Sequence, residues 1–292
     1  MNVLKARLFL LLQYLLPRYG LTALVYRIAR IRQRAAKDFL IRGFIRLFKV
    51  DTTDIKGQFP DDFEHFNAFF IRELEDDARP IAAASNALVS PVDGTVSEAG
   101  TITHGRLLQA KGRYYSLRDL LATDLSDATA YDGGQFATIY LAPYNYHRVH
   151  APLAGRLRAA RYVPGDLFSV NHATASQVAG LFARNERLVC HFQSDHGPFA
   201  VIFVGALNVG SISTPWSGEI RPRKGGVVEE IDLSHSGASV DVQKGELLGW
   251  FNMGSTVILL MPRASCELRP DLSQGATVRM GEMLATLKTL AP

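Results

Sequence analysis

The chain has 292 residues, 47% of them apolar and 21% charged, which is enough to bury a full core and lies outside the compositions of disordered or fibrous proteins. Its net charge of +4 is uneven: residues 1–50 carry eleven Lys or Arg against the single acid Asp38, a local +10 that leaves −6 for the remainder. These basic residues are interleaved with Leu, Ile and Phe and follow no nucleic-acid motif, so the expected partner is an anionic membrane surface and not a nucleic acid.

In chain order, the first seven residues and the apolar run 8–16 have the charge and hydropathy of a signal peptide. Basic residues follow where a small-residue cleavage site belongs, which argues against secretion. Residues 8–26 contain one charge, Arg18, yet Pro17, Arg18 and Gly20 divide the stretch into halves too short to span a bilayer. Two interfacial helices are expected. Over 26–49, Ile28, Ile31, Phe39, Leu40, Phe44, Ile45 and Phe48 alternate with eight Lys or Arg, the pattern of an amphipathic helix on anionic lipid. A basic helix packed on a core would read the same way. Residues 51–87 read as linker helices, with one capped near 59–67 and a sequel over 69–74.

Beyond Leu88, helical spacing gives way to short apolar runs separated by Gly, Pro, Asn and Asp, with strands expected at 136–141, 200–209 and 256–261. The expected class is α+β, mainly β: N-terminal amphipathic helices over 1–50, the linker, and a β-rich catalytic domain over 88–292. Gly165-Asp166, Gly245-Glu246 and Gly281-Glu282 each precede an apolar run, and Ser90-Pro91-Val92-Asp93-Gly94 is matched by Ala151-Pro152-Leu153-Ala154-Gly155. These similarities suggest a barrel- or sandwich-like body of duplicated hairpins. Biotinyl and lipoyl carriers use such hairpins, but no Lys flanked by Met stands at a tip here.

Cys190 and Cys266 lie far apart with no C-x-x-C spacing, so they read as reduced core residues. The best candidate for chemistry is Ser255, in Gly254-Ser255-Thr256 at the mouth of an apolar strand. It is not a hydrolase elbow, because Met253 and Val257 stand where that motif needs glycine. The preceding peptide bond is the more interesting target. Gly254 exposes its carbonyl and can adopt backbone conformations closed to other residues, including strained ones that favour an acyl shift. A serine attacking a carbonyl needs a base and a group that orients the base. His147 and His150, in Tyr146-His147-Arg148-Val149-His150, are the densest histidine site. In a strand their spacing sends them to opposite faces, and no Cys or carboxylate completes a metal set, so no metal is expected. Asp93 reads as a turn residue that could also hold a histidine Nδ1 proton. The other histidines read as structural or surface residues.

In chain order, Ser90 to Gly94, His147 to His150, Pro164-Gly165-Asp166-Leu167-Phe168-Ser169-Val170-Asn171, Phe182-Ala183-Arg184-Asn185-Glu186-Arg187 and Gly254 to Thr256 together resemble the phosphatidylserine decarboxylases, over about 69–287. The Gly-Ser-Thr form and the basic apolar front resemble the membrane-associated bacterial type. The chain departs from it in a short carboxyl end after Leu287. The resemblance implies a proenzyme that cuts itself between Gly254 and Ser255 into a beta chain, 1–254, and an alpha chain, 255–292. His150, oriented by Asp93, would deprotonate Ser255, which attacks the Gly254 carbonyl. Elimination and hydrolysis would then leave a covalent pyruvoyl group in place of Ser255. That cofactor would take the serine amine of phosphatidylserine and act as electron sink while CO2 leaves, with His147 returning a proton to give phosphatidylethanolamine. The implied location is peripheral, on the cytoplasmic side of the cell membrane, and a homodimer is compatible with it. On the residues alone, a serine hydrolase that leaves the chain whole and a lipoyl-like binding module remain the rivals.

Overall fold

The computed structural model describes residues 13–123, 128–234, 237 and 239–288. The leader and the first part of the 8–16 run lie outside the described residues, so the first expected interfacial helix is described only from residue 13; His235 lies outside them too.

An unbroken Val-Ile-Leu-Leu run favours a strand with both faces covered. Thr256–Met261 is such a strand, buried at every position. It pairs antiparallel with Gln135–Tyr140 on one side and Gly197–Val204 on the other, in register at Thr256↔Tyr140 and Thr256↔Val204. Around it a nine-stranded sheet runs in the order Glu229–Glu230, Gly155–Val163, Arg187–Ser194, Gly197–Val204, Thr256–Met261, Gln135–Tyr140, Gly94–Thr101 and Thr277–Val278, with Asp241–Val242 also on Gly155–Val163. The protein is mainly β, but no closed barrel forms among the described residues. The outermost strands have two residues each, too short to close the sheet on itself.

A four-stranded sheet (Gly218–Ile220, Ile212–Thr214, Leu247–Phe251, Arg148–His150) carries the histidine segment, and a three-stranded one joins Ala87–Val89, Met283–Leu287 and Cys266–Leu268. Each of these two sheets has a turn closed by matching bonds. Gly245 N–H donates to the Ala151 carbonyl and Ala151 N–H to that of Glu246, each at 2.8 Å; Gly281 N–H donates to the Ser90 carbonyl at 3.0 Å and Ser90 N–H to that of Glu282 at 2.7 Å. Both glycines are left-handed, with φ of 87° and 85°, which is why glycine stands in both turns. Cys190 and Cys266 are buried and free.

A helical layer covers one side. Arg18–Ile28 is fixed by Arg18 to Asp166 (2.9 Å), and Arg30, just beyond its end, pairs with Glu219 (2.7 Å). Its Tyr26 ring fills the place that a Cβ on Gly210 would need. Arg34–Phe48 begins at Gln33, whose side chain accepts the Ala36 N–H, and stops at left-handed Lys49. Ile41 is fully buried and Phe44 meets Phe66 and Phe70 at 5.0 and 5.8 Å between ring centres. The capped helix expected near 59–67 is shorter and later, Phe66–Phe70, because His65 Nδ1 accepts the Ala68 N–H and starts it there. Among the described residues no helix is long and apolar enough to cross a membrane.

Candidate active site

Gly254 and Ser255 lie at the entry of the central strand, where the Leu141 N–H donates to the Ser255 carbonyl at 2.9 Å. Ser255 is 1% exposed, and its Oγ has no hydrogen-bond partner among the described residues. A buried hydroxyl is normally paired, so this one is spare for chemistry. Gly254 is not among the glycines with positive φ, so the backbone freedom expected of it is not seen as a left-handed conformation. What the missing Cβ supplies is access: a Cβ there would stand 3.5 Å from His147 Nε2 and 3.6 Å from the Leu141 carbonyl oxygen.

His147 is fully buried between the strand side and the helical layer, its ring 4.1 Å from that of Phe70. Its Nδ1 is 2.8 Å from the Asn145 carbonyl, which can only accept, so Nδ1 carries the proton and Nε2 keeps its lone pair. Nε2 has no partner among the described residues. Burial, and then the nearby Arg72 charge, push the imidazole pKa down to about 3 despite the Asn145 bond, so the ring is neutral at physiological pH. Arg72 itself is buried, donating to the carbonyls of Tyr144 (3.1 Å) and Asn145 (3.5 Å).

His150 is held differently. Its Nδ1 donates to the Gly245 carbonyl at 2.8 Å and its Nε2 accepts from the Tyr146 hydroxyl at 3.0 Å. Burial again lowers its pKa. Asp93, the expected orienting group, is not hydrogen-bonded to it. The Asp93 carboxylate takes Arg79 Nε (2.9 and 3.0 Å), Arg79 Nη2 (2.6 Å) and the Met280 N–H (2.9 Å), and Arg79 is shared with Asp54 at 3.0 Å. The structure thus brings His147 to the Gly254–Ser255 bond, and it leaves His150 and Asp93 with other partners.

Sequence reading missed several residues here. Asn252, two places before Gly254, donates to Ser211 Oγ (2.8 Å) and Ser213 Oγ (2.9 Å) and accepts from Asn67 Nδ2 (2.9 Å), which fixes the chain entering the Gly254–Ser255 step. Phe70 and Arg72 were read only as part of a linker helix. Their aromatic and basic character next to an apolar stretch was visible, but nothing local told which loop they meet. Gly254 and Ser255 open into a cavity of about 330 Å³ walled by apolar side chains that include Phe44, Phe48 and Phe70 from the helical layer.

Comparison with known proteins gives the family. A family model described as phosphatidylserine decarboxylase matches residues 66–286, and a second, described as PSD, matches residues 8–49. Curated proteins named phosphatidylserine decarboxylase proenzyme are similar over nearly the whole chain. That of Methylococcus capsulatus is 44% identical over 288 residues, 99% of either chain. That of Pseudomonas aeruginosa is 47% identical over 284 residues, 97% of this chain and 98% of the relative. That of Alcanivorax borkumensis is 47% identical over 278 residues, 95% of either chain. With a family model spanning most of its length and relatives of this identity, the chain belongs to the phosphatidylserine decarboxylase family.

Proposed function

We propose that the protein is a self-processing proenzyme that converts phosphatidylserine to phosphatidylethanolamine and CO2. The observation that carries this is the convergence of two spare buried groups, Ser255 Oγ and His147 Nε2, on the Gly254–Ser255 bond at an apolar cavity. Processing forms the Oγ–carbonyl bond as the peptide C–N bond breaks, with the hydroxyl proton passing through a base to the freed nitrogen. Loss of the residue 255 α-proton then expels the Gly254 carboxylate, and water converts the resulting dehydroalanine to a ketone and ammonia. The beta chain is 1–254 and the alpha chain 255–292.

Family resemblance gives the base role to His150 with Asp93. For that, the Tyr146 hydroxyl must release His150 Nε2, and Asp93 must act through its charge, since Gly245 holds Nδ1. A second reading is favoured by the position of His147, whose free lone pair lies next to Gly254; here His147 takes the Ser255 proton.

A pyruvoyl group at position 255 would supply the electrophilic carbonyl and the electron sink for decarboxylation. The surroundings fit it, since Ser255 is buried, unpaired and open to the cavity. His147, with its unpaired Nε2 beside residue 254, is placed to pass a proton to the carbon that loses CO2. Phe70 fixes the plane of that ring and, with Phe44 and Phe48, excludes water.

The same reading places the enzyme peripherally on the cytoplasmic face of the cell membrane. Helix Arg34–Phe48 turns Phe39 (77% exposed) and Leu47 (75%) outward beside exposed Arg42 and Arg46, while its Phe44 and Phe48 line the cavity. Anionic lipid outside and lipid substrate inside would meet across one helix. The matched Gly245 and Gly281 turns support a duplicated origin for the hairpins. Intact-mass analysis tests the reading: the wild-type chain should give two fragments, the smaller blocked at its start by a carbonyl, and Ser255→Ala one uncut, inactive chain. A full-length wild type with unaltered serine overturns it.

A further inference from the structure

Asn208 lines the cavity that holds Gly254 and Ser255 and has no part in the processing chemistry. Its backbone is left-handed, φ 67°, in a turn closed by the Val209 N–H on the Ala206 carbonyl at 2.9 Å. The turn is tied to helix Arg18–Ile28, because the Asn208 N–H donates to Thr22 Oγ1 at 3.2 Å. Such a turn asks only for Asn or Gly. It does not ask for a buried amide oxygen with no hydrogen-bond partner among the described residues, which is what Asn208 Oδ1 is.

The rest of the lining sharpens the point. None of the described residues around the cavity carries a charge, and Ser169 and Tyr140 are its other polar side chains besides Ser255. Phosphatidylserine brings a phosphodiester a few bonds from the amine that must reach residue 255. An anion entering an uncharged apolar cavity needs hydrogen-bond donors there. We infer that the Asn208 carboxamide, with the Ser169 hydroxyl beside it, receives the phosphodiester of the lipid headgroup and is a substrate-binding residue. Rotation of the amide turns Nδ2–H toward the anion, and Oδ1, which accepts from no described residue, loses no bond in the turn. The inference rests on the decarboxylase reading and adds the group that anchors the phosphodiester of the lipid.

The test uses Asn208→Gly, which keeps the left-handed backbone and deletes the amide, and Asn208→Asp, which keeps the shape and presents a negative charge. The two fragments of self-cleavage report folding, and if the aspartate variant stays uncut the glycine variant carries the test. With phosphatidylserine in detergent micelles, KM should rise roughly tenfold for Asn208→Gly and further for Asn208→Asp. The dissociation constant of short-chain phosphatidylethanolamine, which keeps the phosphodiester and cannot be decarboxylated, should rise in parallel by titration calorimetry. Diacylglycerol of the same chain length, lacking phosphate, should bind wild type and variants alike. Unchanged KM and dissociation constants in cut variants, or an equal loss for diacylglycerol, overturn the inference. An uncut wild-type chain overturns the decarboxylase reading instead, a result distinct from cut variants with unaltered KM.

Discussion

In strand Thr256–Met261 six consecutive side chains are buried, whereas in the fifteen-residue helix Arg34–Phe48 only Lys37 and Ile41 are, and Phe39 and Leu47 face outward. Both segments are rich in apolar residues. The strand has neighbours on each edge and material over each face, so both of its side-chain sets are covered. The helix has one stripe to offer, and it spends that stripe on Phe66 and Phe70 while leaving a second apolar set beside Arg42 and Arg46. Apolar residues therefore serve stability in the sheet, and in the helical layer they also serve the cavity wall and the outer surface.

His147 lies where the two regions meet, so its replacement should have the largest effect. His147→Ala is expected to lower decarboxylation by about 10² to 10⁴ in single-turnover assays, with the sheet still folded by circular dichroism. Wild-type rates in that variant would detach the chemistry from this junction. Within the sheet, Phe203 is fully buried against Phe251 at 5.4 Å between ring centres. Phe203→Ala should cost about 3–5 kcal/mol in denaturant unfolding.

The junction also predicts acid sensitivity. His147 is held to about 3 when folded and returns to about 6.5 when unfolded. In that window the unfolded chain binds the extra proton, so stability is lost as pH falls through 6.5 toward 3. Glu186, buried and raised to about 8, acts with the opposite sign above 4.5, so the wild-type curve alone is not diagnostic. Between pH 6.5 and 5, His147→Gln should lose about 2 kcal/mol less than wild type; equal losses would remove His147 from the account. The smallest stability effect belongs to the outer face of the helix. Phe39→Asp with Leu47→Asp should change unfolding free energy by no more than about 0.5 kcal/mol per site while abolishing sedimentation with anionic vesicles. Retained vesicle binding would break the contrast drawn between sheet and helix. Surface changes make the cleaner experiment than deletion of residues 1–50, which would also uncover Phe66 and Phe70.

Much of the fold could be read locally. The strand over 256–261 has the expected bounds, because an unbroken apolar run has no other comfortable structure in a β-rich body. The strand expected over 200–209 stops at Val204: Gly205 sits against the Glu186 side chain, where a Cβ would meet Oε1 at 2.5 Å, and Asn208 turns left-handed. The apolar character of Ala206 and Leu207 follows from lining a cavity and not from a ladder. Ser255 and the two histidines were visible as residue types at telling spacings. The partners of Asp93 were not, because Arg79 reaches it across an irregular segment of no fixed period and Met280 comes from near the other end of the chain.

Sequence by itself determined the central strand, the Gly-Ser step at its mouth and the basic apolar front, since each rests on neighbours within one turn or one strand. Tertiary structure alone decided that His147 rather than His150 stands beside Gly254, that Asp93 pairs with Arg79, and that Asn67 and Asn252 meet. Those outcomes depend on which buried donors and acceptors fall within hydrogen-bond reach once strands and helices have docked, and that is fixed by packing across the whole chain.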